Sequence, residues 1–277
     1  MKRHAAWVLA ALLLAAAAHT APSTPAELAA AYESQVRPRL ALPPEEQAAY
    51  EKRLRQALAA AGVVLERPQF VLLVDRSAQV QAILVWWLAP DGASLLVGAS
   101  PVSTGRPSGF EHFETPLGVF AHSLANPDFR AEGTKNEFGI RGYGAKGMRV
   151  FDFGWVVAAR GWAPGEQAMR LQMHATDPDR LEPRLGRRES KGCIRIPATL
   201  NRLIDHHGLL DADYEAAPPG RPLWVLKPDR DPTPWSGRWL VVVDSGRSAR
   251  PDWALPLAAA ESGAPAQAAL ASCGSPG

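Results

Sequence analysis

Phe70-Val71-Leu72-Leu73-Val74, then Val80-Gln81-Ala82-Ile83-Leu84-Val85-Trp86-Trp87-Leu88, then Ser94-Leu95-Leu96-Val97-Gly98-Ala99-Ser100-Pro101-Val102-Ser103 decide the fold class. Val, Leu, Ile and Trp crowd these runs, and such side chains suit a pleated, buried surface. Asp91-Gly92 is a hairpin turn signal between the second and third runs, because that turn needs residues tolerant of positive φ. Repeated strands with little helix between them predict a mostly antiparallel β-sandwich or barrel.

Outward from these strands the pattern changes. Residues Thr24 to Arg67 read as helical. Pro25-Ala26-Glu27 opens one candidate; Pro44-Glu45-Glu46 opens a second, with acids in its first turn. Tyr50, Leu54, Ala57, Leu58 and Ala61 share a face, and Gly62 ends it. That face is short and Ala-rich, so two helices packed on the β body are expected over a free wall- or partner-binding appendage. Lys2 and Arg3 precede an apolar run from Ala5 to Ala18, followed by small residues through Ala21. These are the parts of a secretory signal peptide, too short for a comfortable membrane span, and they predict export.

Downstream, Phe110 to Gly147 reads as a long glycine- and charge-rich loop or lid. Met148 to Ala159 holds two strand candidates broken at Gly154, and Met169 to His174 another. Pro197 to His207 reads as a helix stopped by Gly208, with Leu223–Leu226 and Trp239–Val243 as further short strands. Beyond Ser245 the Ala-, Ser-, Gly- and Pro-rich chain is expected to fray. The divisions are therefore 1–21 signal peptide, 22–68 helical segment, 69–228 β-rich domain and 229–277 a partly disordered extension.

Composition agrees with a globular body: 47% of residues are apolar and 21% charged. A formal net charge of +2 without a dense basic block gives no case for nucleic acid. No glycine-rich loop leads from a strand into a helix, so nucleotide chemistry has no support. Paired metal-ligand spacings are missing too, and no metal is expected.

The chemistry gathers at Glu189-Ser190-Lys191-Gly192-Cys193-Ile194-Arg195-Ile196-Pro197. Only a thiolate attacks carbonyls well, so a nucleophilic cysteine needs a base or nearby positive charge. Lys191 and Arg195 flank Cys193, Pro197 suits a helix start whose dipole would help, and Gly192 lets backbone approach a substrate. Strand alternation puts Met169, Leu171 and Met173 on one face and Arg170, Gln172 and His174 on the other. Cys193 is thus the candidate nucleophile and His174 its base. His206 and His207 read as structural; His112 and His122 read as solvated or hydrogen-bonded loop histidines, with substrate contact the alternative. Asp177 reads as a turn cap, with orientation of His174 the alternative. Trp155 and Trp162 are core or the wall of a groove. Cys273 lies in the tail, and a bridge to Cys193 would block the nucleophile, so none is expected.

Together these blocks resemble the L,D-transpeptidase (YkuD-like) catalytic domain. Its signature is a histidine, a variable stretch, then Ser/Thr-His-Gly-Cys, a hydrophobic residue and usually Arg or Asn. His174 and Ser190-Lys191-Gly192-Cys193-Ile194-Arg195 match, with Lys191 in place of histidine and Ala175 where Gly or Ser is common. Pro101-Val102-Ser103-Thr104-Gly105 and Thr115-Pro116-Leu117-Gly118-Val119-Phe120 are similar to two further family segments. The resemblance covers roughly Phe70 to Lys227 and implies a cysteine acyltransferase acting on peptidoglycan stem peptides in a periplasm or wall space. Cys193 and His174 would be catalytic; Ser190, Lys191, Gly192 and Arg195 would line or shape the site, with backbone N–H groups of Gly192 and Cys193 as oxyanion donors. No cofactor is implied. The acceptor would be a second stem or a wall-attached protein. A hydrolase on the same site and a non-catalytic wall-binding protein are the alternatives.

Overall fold

The structure, a computed structural model, describes residues 22, 24–218, 220 and 223–255. The proposed signal peptide and Cys273 lie outside the described residues. Two helices come first, α1 (Pro25–Gln35) and α2 (Pro44–Ala60). Among the described residues nine strands follow: β1 (Gln69–Asp75), β2 (Ala82–Leu88), β3 (Ser94–Pro101), β4 (Gly118–Ala121), β5 (Phe129–Arg130), β6 (Arg149–Ala159), β7 (Glu166–Ala175), β8 (Ile194–Ile196) and β9 (Trp239–Val243). Helix α3 (Ala198–His206) and the short α4 (Ala212–Glu215) lie between β8 and β9. Five strands form one sheet in the order β3-β2-β1-β9-β4, and four form the other as β5-β6-β7-β8.

The layers follow from β1. Its residues alternate sides, yet both sides are apolar, so it reads as an unbroken hydrophobic run. Phe70, Leu72 and Val74 face the four-stranded sheet, where Phe151, Leu171, Met173, Ile194 and Ile196 meet them. Val71 and Leu73 face the other way, onto Tyr50, Leu54 and Leu58 of α2. The mostly-β fold with a helical N-terminal segment is what the strand runs predict. Two pairs are parallel, however: β1 with β9 and β7 with β8. Both sheets are mixed.

Each N-terminal helix is fastened locally and across. Thr24 and Glu27 form a reciprocal cap on α1, each backbone N–H reaching the other's side chain at 3.1 Å. The Tyr32 ring fills the space beside Gly98, where any Cβ would collide with it, and its hydroxyl meets Ser100 Oγ at 2.6 Å. On α2, the Tyr50 hydroxyl donates to Asp75 at 2.5 Å. Asp75 also accepts the backbone N–H groups of Ser77 and Ser245.

Four expectations change. The stretch 110–147 is not strandless: β4 pairs with β9, and β5 with β6. Such short strands have no periodicity to read and exist because a neighbouring edge accepts them. The 149–159 stretch is one strand carrying a bulge between Asp152 and Trp155, not two. Gly154, at φ +83°, supplies the bend, and its N–H donates to Asp152 Oδ1 at 2.8 Å. Leu223–Leu226 is a turn, closed by the Leu226 N–H to the Leu223 carbonyl; Val225 points inward and Trp224 outward. Finally, the chain does not fray at Ser245. Trp253 is buried against Tyr50, ring centroids 5.7 Å apart, and Ala254 is fully buried.

Candidate active site

Parallel pairing of β7 with β8 sets His174 opposite Arg195 and Met173 opposite Ile194. Met169, Leu171, Met173, Ile194 and Ile196 enter the core. Alternation then leaves Arg170, Gln172, His174, Cys193 and Arg195 together on the opposite face. The half-buried Cys193 stands just before β8. Its Sγ lies 3.9 Å from the Arg170 carbonyl, and the Gln172 backbone N–H favours its charged form.

The turn before Cys193 is built from all three sequence blocks. Ser190 Oγ accepts the Gly192 N–H at 3.0 Å and donates to the Cys193 carbonyl at 2.5 Å. Thr115 Oγ1 donates to the Gly192 carbonyl at 2.7 Å and accepts the Gly105 N–H at 2.8 Å. Gly192 has φ +131°, and a Cβ there would lie 2.8 Å from Met169 Sδ. A Cβ on Gly105 would lie 2.9 Å from Gly192 Cα. Both glycines are therefore required by close approach. Ser190 shapes the turn from a buried position with its hydroxyl already committed.

Three parts of the expected site chemistry differ. The Gly192 N–H is taken by Ser190, which leaves the Cys193 N–H as the open backbone donor of the turn; among the described residues it makes no hydrogen bond. Lys191 is exposed and its Nζ lies 3.3 Å from Glu111, so it faces the rim rather than the thiol. Arg195 alone of the two flanking cations lowers the thiol's pKa. Its guanidinium donates to the Glu189 carbonyl at 3.3 Å. The start of α3 gives no help either, because its Ala198 N–H is capped by Glu182 at 3.2 Å. Burial outweighs Arg195 and the Gln172 N–H, and the Cys193 pKa ends above its usual value.

His174 is 4% exposed. Its Nδ1–H donates to the Ala175 carbonyl at 2.6 Å, which leaves Nε2 as the proton acceptor. Burial first, and Arg195 after it, push its pKa down to about 4, against the Ala175 bond. The imidazole is thus neutral at neutral pH. Asp177 does not orient it: that carboxylate accepts the backbone N–H groups of Arg141, Asp179 and Arg180, a turn cap.

Tyr143 was not singled out by the sequence, yet its ring sits edge-on to His174 at 4.7 Å between centroids. Its hydroxyl donates to Gln172 Oε1 at 3.1 Å. Gln172 and Arg170 both donate to Asp152 Oδ2, at 2.9 and 2.7 Å. The bulge in β6 aims Asp152 into this cluster. The only sequence signal for Tyr143 is an isolated aromatic between two glycines, Gly142 and Gly144.

The remaining candidates separate cleanly. His112 is half-buried, its Nδ1 bonded to the Phe110 carbonyl at 2.9 Å. His122 is the hydrogen-bonded loop histidine of the two environments expected, fully buried, 2.8 Å from Asp128 and stacked on Tyr214. His207 donates to the Asp231 carbonyl, and His206 packs edge-on against it. Trp155 is exposed beneath the Arg170 guanidinium, 6.0 Å from its centroid. Trp162 packs edge-on to Phe113 at 5.0 Å. Neither tryptophan belongs to the core.

No curated protein matches the chain. The family profile described as the YkuD L,D-transpeptidase catalytic domain matches residues 69–225, which contain both candidate residues, all three motif blocks and the two strands that juxtapose them. The chain belongs to the L,D-transpeptidase (YkuD) catalytic domain family.

Proposed function

We propose that this protein is an exported cysteine acyltransferase that crosslinks peptidoglycan stem peptides through a Cys193 thioester. The observation that carries it is the β7–β8 register, which sets Cys193, His174 and Arg195 on one face. On this reading the donor is a tetrapeptide stem whose scissile bond joins the L-centre of a diamino acid to D-alanine.

His174 Nε2 takes the thiol proton as sulfur bonds to the carbonyl carbon. The Cys193 N–H donates to the resulting oxyanion. Collapse breaks the carbon–nitrogen bond, and His174 returns the proton to the departing D-alanine amine. The acceptor amine then attacks the thioester and gives a proton to His174, and the carbon–sulfur bond breaks. Water as acceptor gives a trimmed tripeptide instead. Export rests on the basic start and apolar run of residues 2–21.

Mature protein incubated with disaccharide-tetrapeptide should give a crosslinked dimer by mass, and Cys193→Ala should give none. Cysteine-dependent tripeptide without dimer would make the protein a hydrolase. No cysteine-dependent product would overturn the enzymatic reading. Fractionation of the native host tests export.

A further inference from the structure

Beside the catalytic face lies a cavity of about 440 Å³ that the mechanism does not use. Its walls include Phe129, Glu132, Gly133, Thr134, Tyr143 and Trp224. Tyr143 belongs to both places: one side of its environment is the cavity, the other His174.

Trp224 is 70% exposed, an unusual condition for the largest apolar side chain unless something covers it. It is also held in place. The next residue, Val225, is buried, and its carbonyl accepts from Arg130 Nε at 2.8 Å. Arg130 is anchored by Asp205, with donors 2.5 and 3.0 Å from the two carboxylate oxygens. The turn therefore presents an indole on a rigid support. Gly144 fixes the other wall: a Cβ there would lie 2.8 Å from Ala175 Cβ and 2.9 Å from Met148 Sδ. That close contact seats Tyr143 against His174.

Glu132 and Thr134 are exposed and, among the described residues, make no side-chain hydrogen bond or ion pair. An indole face suits the C–H face of a pyranose ring, and a free carboxylate and hydroxyl suit its hydroxyl and amide groups. A carboxylate on the rim disfavours phosphate or another acid.

We propose that the Trp224–Tyr143 cavity binds a sugar ring of the glycan that carries the donor stem, which orients that stem toward Cys193. The proposal rests on the peptidoglycan reading above for its substrate. Sugar binding itself is measurable without turnover.

The first test titrates N-acetylglucosamine oligomers into the Cys193→Ala protein by calorimetry, with and without Trp224→Ala. Binding that Trp224→Ala weakens about three- to tenfold supports the subsite, given typical aromatic contact energies. The second compares disaccharide-tetrapeptide with the bare tetrapeptide as donors. Trp224→Ala should raise KM for the disaccharide donor alone and leave kcat and the bare peptide unchanged. No saccharide binding, or equal loss on both donors, overturns the proposal. Saccharide binding in a protein that makes no cysteine-dependent product would sink the catalytic reading while leaving the subsite standing.

Discussion

At Cys193 two effects oppose one another. Arg195 and the Gln172 N–H favour the thiolate, while burial favours the thiol, and burial is the larger. At His174 burial and Arg195 both favour the neutral ring. Both shifts favour the uncharged forms, a thiol and a neutral imidazole. The sign follows directly: a raised thiol pKa means less thiolate at pH 7 than free cysteine has. Alkylation of folded protein by iodoacetamide should therefore climb with pH through a midpoint above the ordinary thiol range. Arg195→Gln, which removes the favourable cation, should move that midpoint higher still. A rate plateau below pH 7 would show a pre-formed thiolate and contradict this account. Both residues were legible because local signals mark them: a glycine-cysteine turn flanked by cations, and a histidine on the polar face of an alternating strand. Tyr143 was not, since its contact with His174 joins residues far apart in sequence.

At the scale of elements, buried charge does what apolar packing does elsewhere. Arg149 opens β6 and is fully buried. It donates to Asp128 at 2.6 Å and to both oxygens of Asp211 at 2.8 and 2.7 Å. Asp205 of α3 lies 3.4 Å away. Its guanidinium lies 5.0 Å from the Phe151 ring centroid and 4.9 Å from that of Tyr214. Burial alone would raise the Asp128 carboxyl, but His122 and Arg149 outweigh it and hold it low. One side chain thus ties β6 to α3, α4 and the segment before β5. Arg149→Met keeps much of the volume but removes the shared cation, leaving buried Asp128 to His122 and buried Asp211 to Arg230. Breaking such a pair from one side costs about 3–5 kcal/mol. Urea denaturation should show a loss of that size, and a loss under about 1 kcal/mol would contradict the role assigned here. Nothing local announces this network. Arg149 sits in a run that reads as strand, and its three acids are scattered from 128 to 211. Strand positions were readable from composition, whereas the parallel pairs were not, because pairing depends on distant partners. The Leu223–Leu226 run failed for the opposite reason. Its composition is strand-like, but Arg130 holds the Val225 carbonyl where a ladder partner would be needed.

The whole molecule depends on a strand outside the family match. That match ends at residue 225, yet β9 sits between β1 and β4, pairing parallel with one and antiparallel with the other. Its Leu240 and Val241 are fully buried and Val242 is 2% exposed. Leu240 and Val242 join the inter-sheet core, while Val241 joins the core under α2. β9 therefore closes both apolar layers. A chain ending at residue 228 loses these three side chains, strips β1 of one ladder and leaves β4 unpaired. It also uncovers Tyr50 by removing Trp253. Burying each large aliphatic side chain contributes about 1.5–3 kcal/mol. Three of them approach the whole stability of a typical domain, about 5–15 kcal/mol. The chain ending at 228 should show no cooperative thermal transition by circular dichroism and no cysteine-dependent product. A chain ending at 255 keeps β9 and Trp253, and should melt cooperatively. If the shorter chain melts cooperatively near the longer one, the sheet closes without β9 and the matched region folds by itself. If only the longer chain folds, the catalytic face is held in shape by a strand that carries none of its chemistry.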